Sequence, residues 1–591
     1  MLENVCSARC FCFWDRSTLY KIGWIVFLLV AGFLLHLPSE IGMSLAIPPD
    51  SNEYAIGLAN LFEHGKFGFT LNGDWYPSRY APWFSLFCLT PAYFVFGGDV
   101  LSLHWAVLAF ALAFLVASYK MGRVVGLGRW SYVCAVLPLF IPDFVFYSRM
   151  IMTEIPYTAI LALSALAFVR FANEERPSLV LCLGCGALVA WGGAVRATAL
   201  PMLGLFVVAA MLKRYGWGRR ALCVVVMSFP VVLYEIANLA YNTCVFGSPF
   251  RSGYNYWVPV PCDYPDMMFN VGNAMTNLSE YLREPVTLVA LAMTCVVATI
   301  SILMLAGRFG GMRRNRCFLL LSAYVLFQGF VLGALYIGYY WGDVRFFLPF
   351  MLCLLTLALK AVTVAAGEVS VVSSDVAVAL IVLAFVFGGR YVVPLYSKMT
   401  WVYPFRIVEA AMSREVLPNG AVVIQDGIPL FVDWFGPKDK DVELFPVSRA
   451  SAHTYAMVAP TSIAKLGPKP SSWQQRVIPE LVASGVCQQP IPETFLENPW
   501  KVRKLLDEGR RVFLHVARTF SCQKEIEDAS VKRLDAYELK LFGMWLNPPI
   551  DPNPVRRFYD RFIFPSFSMD RLPEVRSIYY EVLPKAVGEP Q

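Results

Sequence analysis

The sequence predicts a polytopic α-helical membrane protein of about eleven spans, followed by an α/β domain outside the bilayer. Three observations predict it. Of the 591 residues, 57% are hydrophobic and only 16% are charged, with a mean hydropathy of +0.53, more apolar surface than a soluble chain can bury. Apolar runs of spanning length recur between residues 20 and 393. Beyond residue 394 the chain turns charged and proline-containing, with no such run. The formal net charge of +7 lies between apolar runs, where it orients spans, so no nucleic-acid partner is expected.

The runs fall at 20–36, 101–119, 131–147, 154–171, 178–195, 197–212, 221–241, 286–306, 317–340, 347–366 and 375–393. The first reads as a retained anchor. Its leading segment is too long for a signal peptide, and Ser44 and Ala46 lie too far past the apolar core to mark a cleavage site. The loops after the even-numbered runs collect Lys120, Arg123 and Arg129, then Arg170 and Arg176, then Lys213, Arg214, Arg219 and Arg220, and finally Arg308, Arg313, Arg314 and Arg316. The opposite loops carry Arg149, Arg196 and Arg345 singly. The positive-inside rule then predicts a cytoplasmic N-terminus, a membrane domain over 1–393, outer loops at 37–100 and 242–285, and an outer domain over 394–591. Asn277-Leu-Ser is the one glycosylation sequon and the tail has none, which favours a bacterial inner membrane over the endoplasmic reticulum.

In the tail, "GAVVIQD" and "RRVFLHVA" read as buried strands and "PWKVRKLLDEG" as the helix feeding the second. It carries no phosphate loop or nucleophile elbow, so its expected role is packing or partner binding. Of the fifteen cysteines, Cys134, Cys182, Cys185, Cys223, Cys295, Cys317 and Cys353 lie in or beside apolar runs, where thiols act as small hydrophobes. Cys182-x-x-Cys185 has no second pair and is read as packing rather than metal binding.

The candidate chemistry sits at the ends of the runs. After two prolines, Asp50 and Glu53 open an amphipathic pattern with Tyr54, Leu58, Leu61 and Phe62 on one face, predicting a helix on the outer surface. Asp50-x-x-Glu53 is also a capping-box spacing, which satisfies orphan N–H groups and needs no catalytic role. Arg79 and Tyr80 follow in "YPSRYAP", Arg149 and Glu154 in "YSRMIMTEIPY", Arg196 in "GGAVRATALP", and Asp343 with Arg345 in "YYWGDVRFFLP". A single arginine at a span end commonly snorkels. Acids and arginines collected at four turns on one side instead point to a site. With five histidines and no paired ligands, no metal site is predicted. A divalent cation, were one used, would rest on Asp50 with Glu53 or Glu154.

The succession PPD-x-x-E-Y, NG..YPSRYAP, SR..MTEIPY, VRATALP, FGSPF.SGY and D.RF.LP, spread over residues 20–360, resembles the GT-C glycosyltransferases. The branch is the dolichyl-phosphate-mannose protein mannosyltransferase-like one, which includes bacterial aminoarabinose transferases. The lumenal β-trefoil of eukaryotic protein mannosyltransferases is missing. The resemblance implies a sugar taken from a polyprenyl-phosphate donor and given to a hydroxyl acceptor on a lipid, glycan or protein at the outer membrane face. It implies Asp50 as general base, and Glu154 as a second acid where the family usually has aspartate. Glu53, Arg79, Tyr80, Arg196, Asp343 and Arg345 would bind substrate, the arginines facing the leaving phosphate. Two other readings remain open. A transporter or flippase of a lipid-linked sugar would place charges mid-span, where Glu235 is the main one, and show pseudo-symmetric halves. A receptor or scaffold would use the outer domain as its working part.

Overall fold

The computed structural model describes residues 16–36, 50–250, 252–253, 278, 282, 285–308, 315–337, 344–369, 373–388, 416–425, 441–447, 495–496, 498–517, 531–546, 554–563 and 576–585. Among these, six helices are long and apolar enough to cross a membrane, and five shorter apolar helices accompany them. In chain order the first part contains α1 (Arg16–His36), α2 (Asp50–His64), the hairpin β1 (Gly68–Leu71) and β2 (Asp74–Pro77), α3 (Thr90–Val95) and α4 (His104–Val124). Then come α5 (Ser131–Val136), α6 (Pro142–Tyr147), α7 (Glu154–Asn173), α8 (Leu179–Val195), α9 (Leu203–Met211) and α10 (Trp217–Phe246). The bundle closes with α11 (Pro285–Leu305), α12 (Arg316–Leu332), α13 (Leu348–Val369) and α14 (Ser374–Gly388).

Helix α7 is the axis of the bundle, with most of its residues buried. Its last carbonyls, which have no intrahelical donors, are capped by Lys213, whose Nζ donates to Phe171 O at 2.9 Å, Ala172 O at 2.9 Å and Glu174 O. Arg316 adds a bond to Ala172 O at 3.1 Å. At this basic end Arg129 also pairs with Asp375. The 20 residues of α7 rise about 30 Å, the thickness of a bilayer's hydrocarbon core, so Glu154 stands at the opposite interface. Helices α8 and α10 touch backbone to backbone. A Cβ on Gly186 would meet Met227 O at 1.9 Å, so only glycine permits this approach.

Two expectations fail. Residues 131–147 do not form one span: α5 stops, a 3₁₀ turn covers Leu137–Phe140, Ile141 is extended, and α6 restarts. Pro138 and Pro142 are the cause, since each removes a backbone donor. Helix α2 does not lie half-exposed on a surface either. Nearly every side chain described from Asp50 to Asn60 is buried, and exposure begins only at its C-terminal turn, because the hairpin covers its polar face at Glu53 and Asn60 while residues 84–94 pack on Tyr54 and Phe62.

The tail contributes β3 (Val422–Gln425), β4 (Glu443–Pro446), α15 (Lys501–Asp507), β5 (Val512–Ala517), β6 (Tyr537–Leu546), α16 (Pro554–Ile563) and β7 (Arg576–Pro584). The strands form one five-stranded sheet in the order β4-β3-β5-β7-β6. β3 runs parallel to β4 and β5, while β7 is antiparallel to β5 and β6. The expected strands and their feeding helix are β3, β5 and α15. Period-2 alternation gives the sheet two apolar faces. Val422, Ile424, Val512 and Leu514 form the sheet's own core. Val423, Leu444, Phe513 and Tyr579 belong to a core continuous with the helices.

Candidate active site at the helix ends

Two acids stand at the first positions of two helices, Asp50 on α2 and Glu154 on α7. A helix N-terminus favours negative charge, and Pro156 sits in the first turn of α7, where no backbone donor is needed. Glu53 lies one turn into α2.

Arg79 reaches Asp50 from the hairpin. Asn72 and Gly73 have φ of 53° and 85°, the left-handed pair of a tight primed turn, and β2 then delivers Ser78 and Arg79 to the start of α2. Ser78 Oγ donates to Glu53 Oε2 at 2.7 Å, and Arg79 N donates to the same oxygen at 2.9 Å. Arg79 Nε lies 3.0 Å from Glu53 Oε1, and the guanidinium also donates to Asp50 Oδ1. Tyr80 lies under that guanidinium, 4.6 Å from ring centroid to Cζ, and stacks on Tyr54 at 4.5 Å. Gly253 seals the segment from behind. A Cβ there would sit 2.3 Å from Arg79 Cα and 2.3 Å from Ser78 O.

Arg345 enters on the 3₁₀ turn Val344–Phe347 that opens α13. Its Nη2 is 3.3 Å from Asp50 Oδ2 and its Nε 3.8 Å from Glu154 Oε1, so one guanidinium spans both acids. Arg196 leaves the C-terminus of α8 in an extended conformation. It donates from Nη2 to Glu154 Oε1 at 2.6 Å and from Nε to Thr153 Oγ1 at 3.0 Å, between the rings of Tyr157 and Phe346.

Three acids and three arginines thus interleave in a nearly dry pocket, with Glu154 0%, Arg79 3% and Asp50 6% exposed. Deleting one member leaves a buried charge without its partner, at a cost of about 3–5 kcal/mol. Burial pushes the Asp50 carboxyl up, but Arg79 and then Arg345 outweigh it and hold the group below the usual carboxylate range. Glu154 Oε2 is buried with no hydrogen-bond partner among the described residues, an acceptor available to an incoming hydroxyl or amine. Among the described residues no three His, Cys, Asp or Glu side chains are grouped to hold a metal. A cation at Asp50 and Glu154 would have to displace Arg345.

Asp50, Glu53, Arg79, Tyr80, Glu154, Arg196 and Arg345 are therefore brought together. Asp343 lies outside the described residues. Ser78, Thr153 and Gly253 were not singled out. Ser78 and Thr153 each precede a charged candidate, and a hydroxyl next to a buried charge is a signal that could have found them. Gly253 lies within the FGSPF.SGY stretch, but its role is hidden there, because what matters is the backbone it lies against.

No family model matches the chain, and no curated protein matches its sequence. Its structure does match solved ones. ArnT from Cupriavidus metallidurans in the apo state superposes with a TM-score of 0.52 at 12% identity, covering 96% of this chain and 98% of that one. The chain shares its fold with this ArnT. The same ArnT bound to undecaprenyl phosphate gives 0.47 at 13% identity, over 98% of this chain and 100% of that one. The Archaeoglobus fulgidus oligosaccharyltransferase tethered to an acceptor peptide gives 0.41 at 9%, over 88% and 72%. The ArnT match covers nearly the whole chain, so it takes in both the helical bundle and the C-terminal sheet.

Proposed function

We propose that this protein transfers a sugar from a polyprenyl phosphate to a hydroxyl acceptor at the outer face of a bacterial inner membrane, with its N-terminus cytoplasmic and its sheet outside. The observation that carries the reading is Arg345 spanning Asp50 and Glu154 at the interfacial ends of two helices, where a lipid-borne phosphate and a polar acceptor meet. The ArnT that shares this fold also binds undecaprenyl phosphate.

The acceptor oxygen attacks the anomeric carbon, the bond from that carbon to the phosphate oxygen breaks, and the hydroxyl proton passes to Asp50. A carboxylate held at low pKa is a weak base, so the proton moves late, once the new glycosidic bond has largely formed. The departing polyprenyl phosphate gains charge, and Arg79 and Arg345 supply guanidinium forks for it. Arg345 is suited to shift toward the phosphate, since its 3.8 Å contact with Glu154 is loose. Glu154, kept in place by Arg196, offers Oε2 to a hydroxyl of the sugar or acceptor.

The transporter reading has less support. Its mid-span charge, Glu235, sits on α10 between Leu233 and Ile236, both exposed on the outside of the bundle. The test is purified protein in liposomes with a radiolabelled polyprenyl-phosphate sugar and hydroxyl acceptors. Labelled acceptor with release of free polyprenyl phosphate supports the transferase. Movement of intact donor across the bilayer without release supports the transporter and overturns it.

A further inference from the structure

Helix α16, PVRRFYDRFI, belongs to the charged tail yet docks on the membrane bundle. The break at Pro142 denies the Leu139 carbonyl its i+3 donor, and an unpaired carbonyl within a bilayer costs several kcal/mol. Tyr559 supplies the missing donor: its hydroxyl bonds Leu139 O in a buried contact. Phe562 packs edge-on against Phe140 at 6.1 Å and Phe387 at 6.3 Å, and Ile563 is fully buried.

These contacts fix a depth. Phe387 lies about twelve residues along α14 from Asp375, which pairs with Arg129 at the basic end, a rise of roughly 18 Å. Within a hydrocarbon core of about 30 Å, Phe562 sits roughly 10 Å inside the far boundary, the depth at which interfacial helices bury their apolar faces. On the same helix Val555 is 55% and Phe558 74% exposed, and Phe387 itself is 50% exposed. Leu380 and Leu383 on α14 are exposed as well, and the Phe387–Phe562 contact joins that apolar face to α16. The segment carries three arginines against one aspartate, a charge suited to anionic headgroups.

We propose that α16 is an interfacial membrane helix: Val555 and Phe558 enter the leaflet at the site end, and anionic phospholipid is its partner. The C-terminal sheet is then held to the bilayer directly as well as through the bundle. The inference rests on the membrane helices and not on the glycosyl-transfer reading, and its test does not involve activity.

The test places a photoreactive benzophenone phenylalanine at Phe558, and separately at Val555, in the full chain reconstituted with radiolabelled anionic phospholipid. Arg503 on α15, 82% exposed, serves as the control. Lipid adducts at 558 and 555, several-fold above those at 503 and rising with anionic lipid content, are expected. Adducts to a second copy of the chain, or none beyond the Arg503 level, overturn the proposal. Using two exposed positions keeps the test decisive if one replacement disturbs folding.

Discussion

Asn72 and Leu444, 372 residues apart, are joined by two hydrogen bonds: Asn72 Nδ2 donates to Leu444 O at 2.7 Å, and Leu444 N donates to Asn72 Oδ1 at 2.8 Å. The side-chain amide imitates a neighbouring strand, pairing with the edge strand β4. The hairpin that carries Arg79 is thereby clamped to the C-terminal sheet.

The clamp predicts an ordering of variants. Asn72→Gly keeps the left-handed turn but loses both bonds, at a cost of roughly 1 kcal/mol each. Asn72→Asp also tolerates the turn, yet turns a carboxylate oxygen toward the Leu444 carbonyl, so it is expected to destabilise more than glycine. Thermal unfolding and protease release of the sheet read the difference. Equal stability of the wild type and both variants refutes the clamp.

For Asp50, the near-isosteric Asp50→Asn keeps the helix start but cannot take a proton, and turnover is expected to fall about 10²–10⁴-fold. Unchanged transfer would leave Asp50 a structural partner of Arg79. The pH profile adds a sign. Since the folded pKa is depressed, the charged form and its stabilising ion pairs persist above the unfolded value and are lost as pH falls through the folded one. The acid limb of kcat therefore belongs below about pH 4.

Removing Arg345 acts on that limb. Arg345→Ala strips one of the two cations holding Asp50 down, so the limb moves to higher pH while donor KM rises and kcat falls. Arg345→Lys, a point charge without a fork, cannot span both acids and restores activity only in part. Wild-type kinetics in both variants would reduce Arg345 to a snorkelling residue.

Gly253→Ala tests the backbone behind Arg79. The added carbon must push Ser78 and Arg79 aside, at roughly 1–3 kcal/mol of overpacking, and donor KM is expected to rise with it. Gly204→Ala, where a Cβ meets nothing within 4 Å, is the control. Equal kinetics in the two variants would show that the segment yields without consequence.

Much of this molecule was legible in its sequence because membrane burial and helix periodicity write themselves in composition. The acids and arginines were legible because charge at a span end is conspicuous. The pairing pattern was not. Asp50-x-x-Glu53 reads locally as a cap, whereas Glu53 in fact reaches across to Ser78 and Arg79, whose arrival depends on a hairpin turn. The burial of α2 was likewise hidden, since amphipathicity does not reveal that other segments cover the polar face. The split of 131–147 was readable from Pro138 and Pro142, but hydropathy averages over prolines.

The length of α7 has a further consequence. Its capped carbonyls hold one end at the basic interface and its first residue carries Glu154, so the helix acts as a ruler that sets how far the site stands from the opposite surface. A thicker bilayer would draw the acids beneath the headgroups, and a thinner one would lift them clear. Hydrophobic mismatch, at fractions of a kcal/mol per Å, then becomes a variable of catalysis, and the lipid composition of the membrane takes part in aligning the site with its substrates.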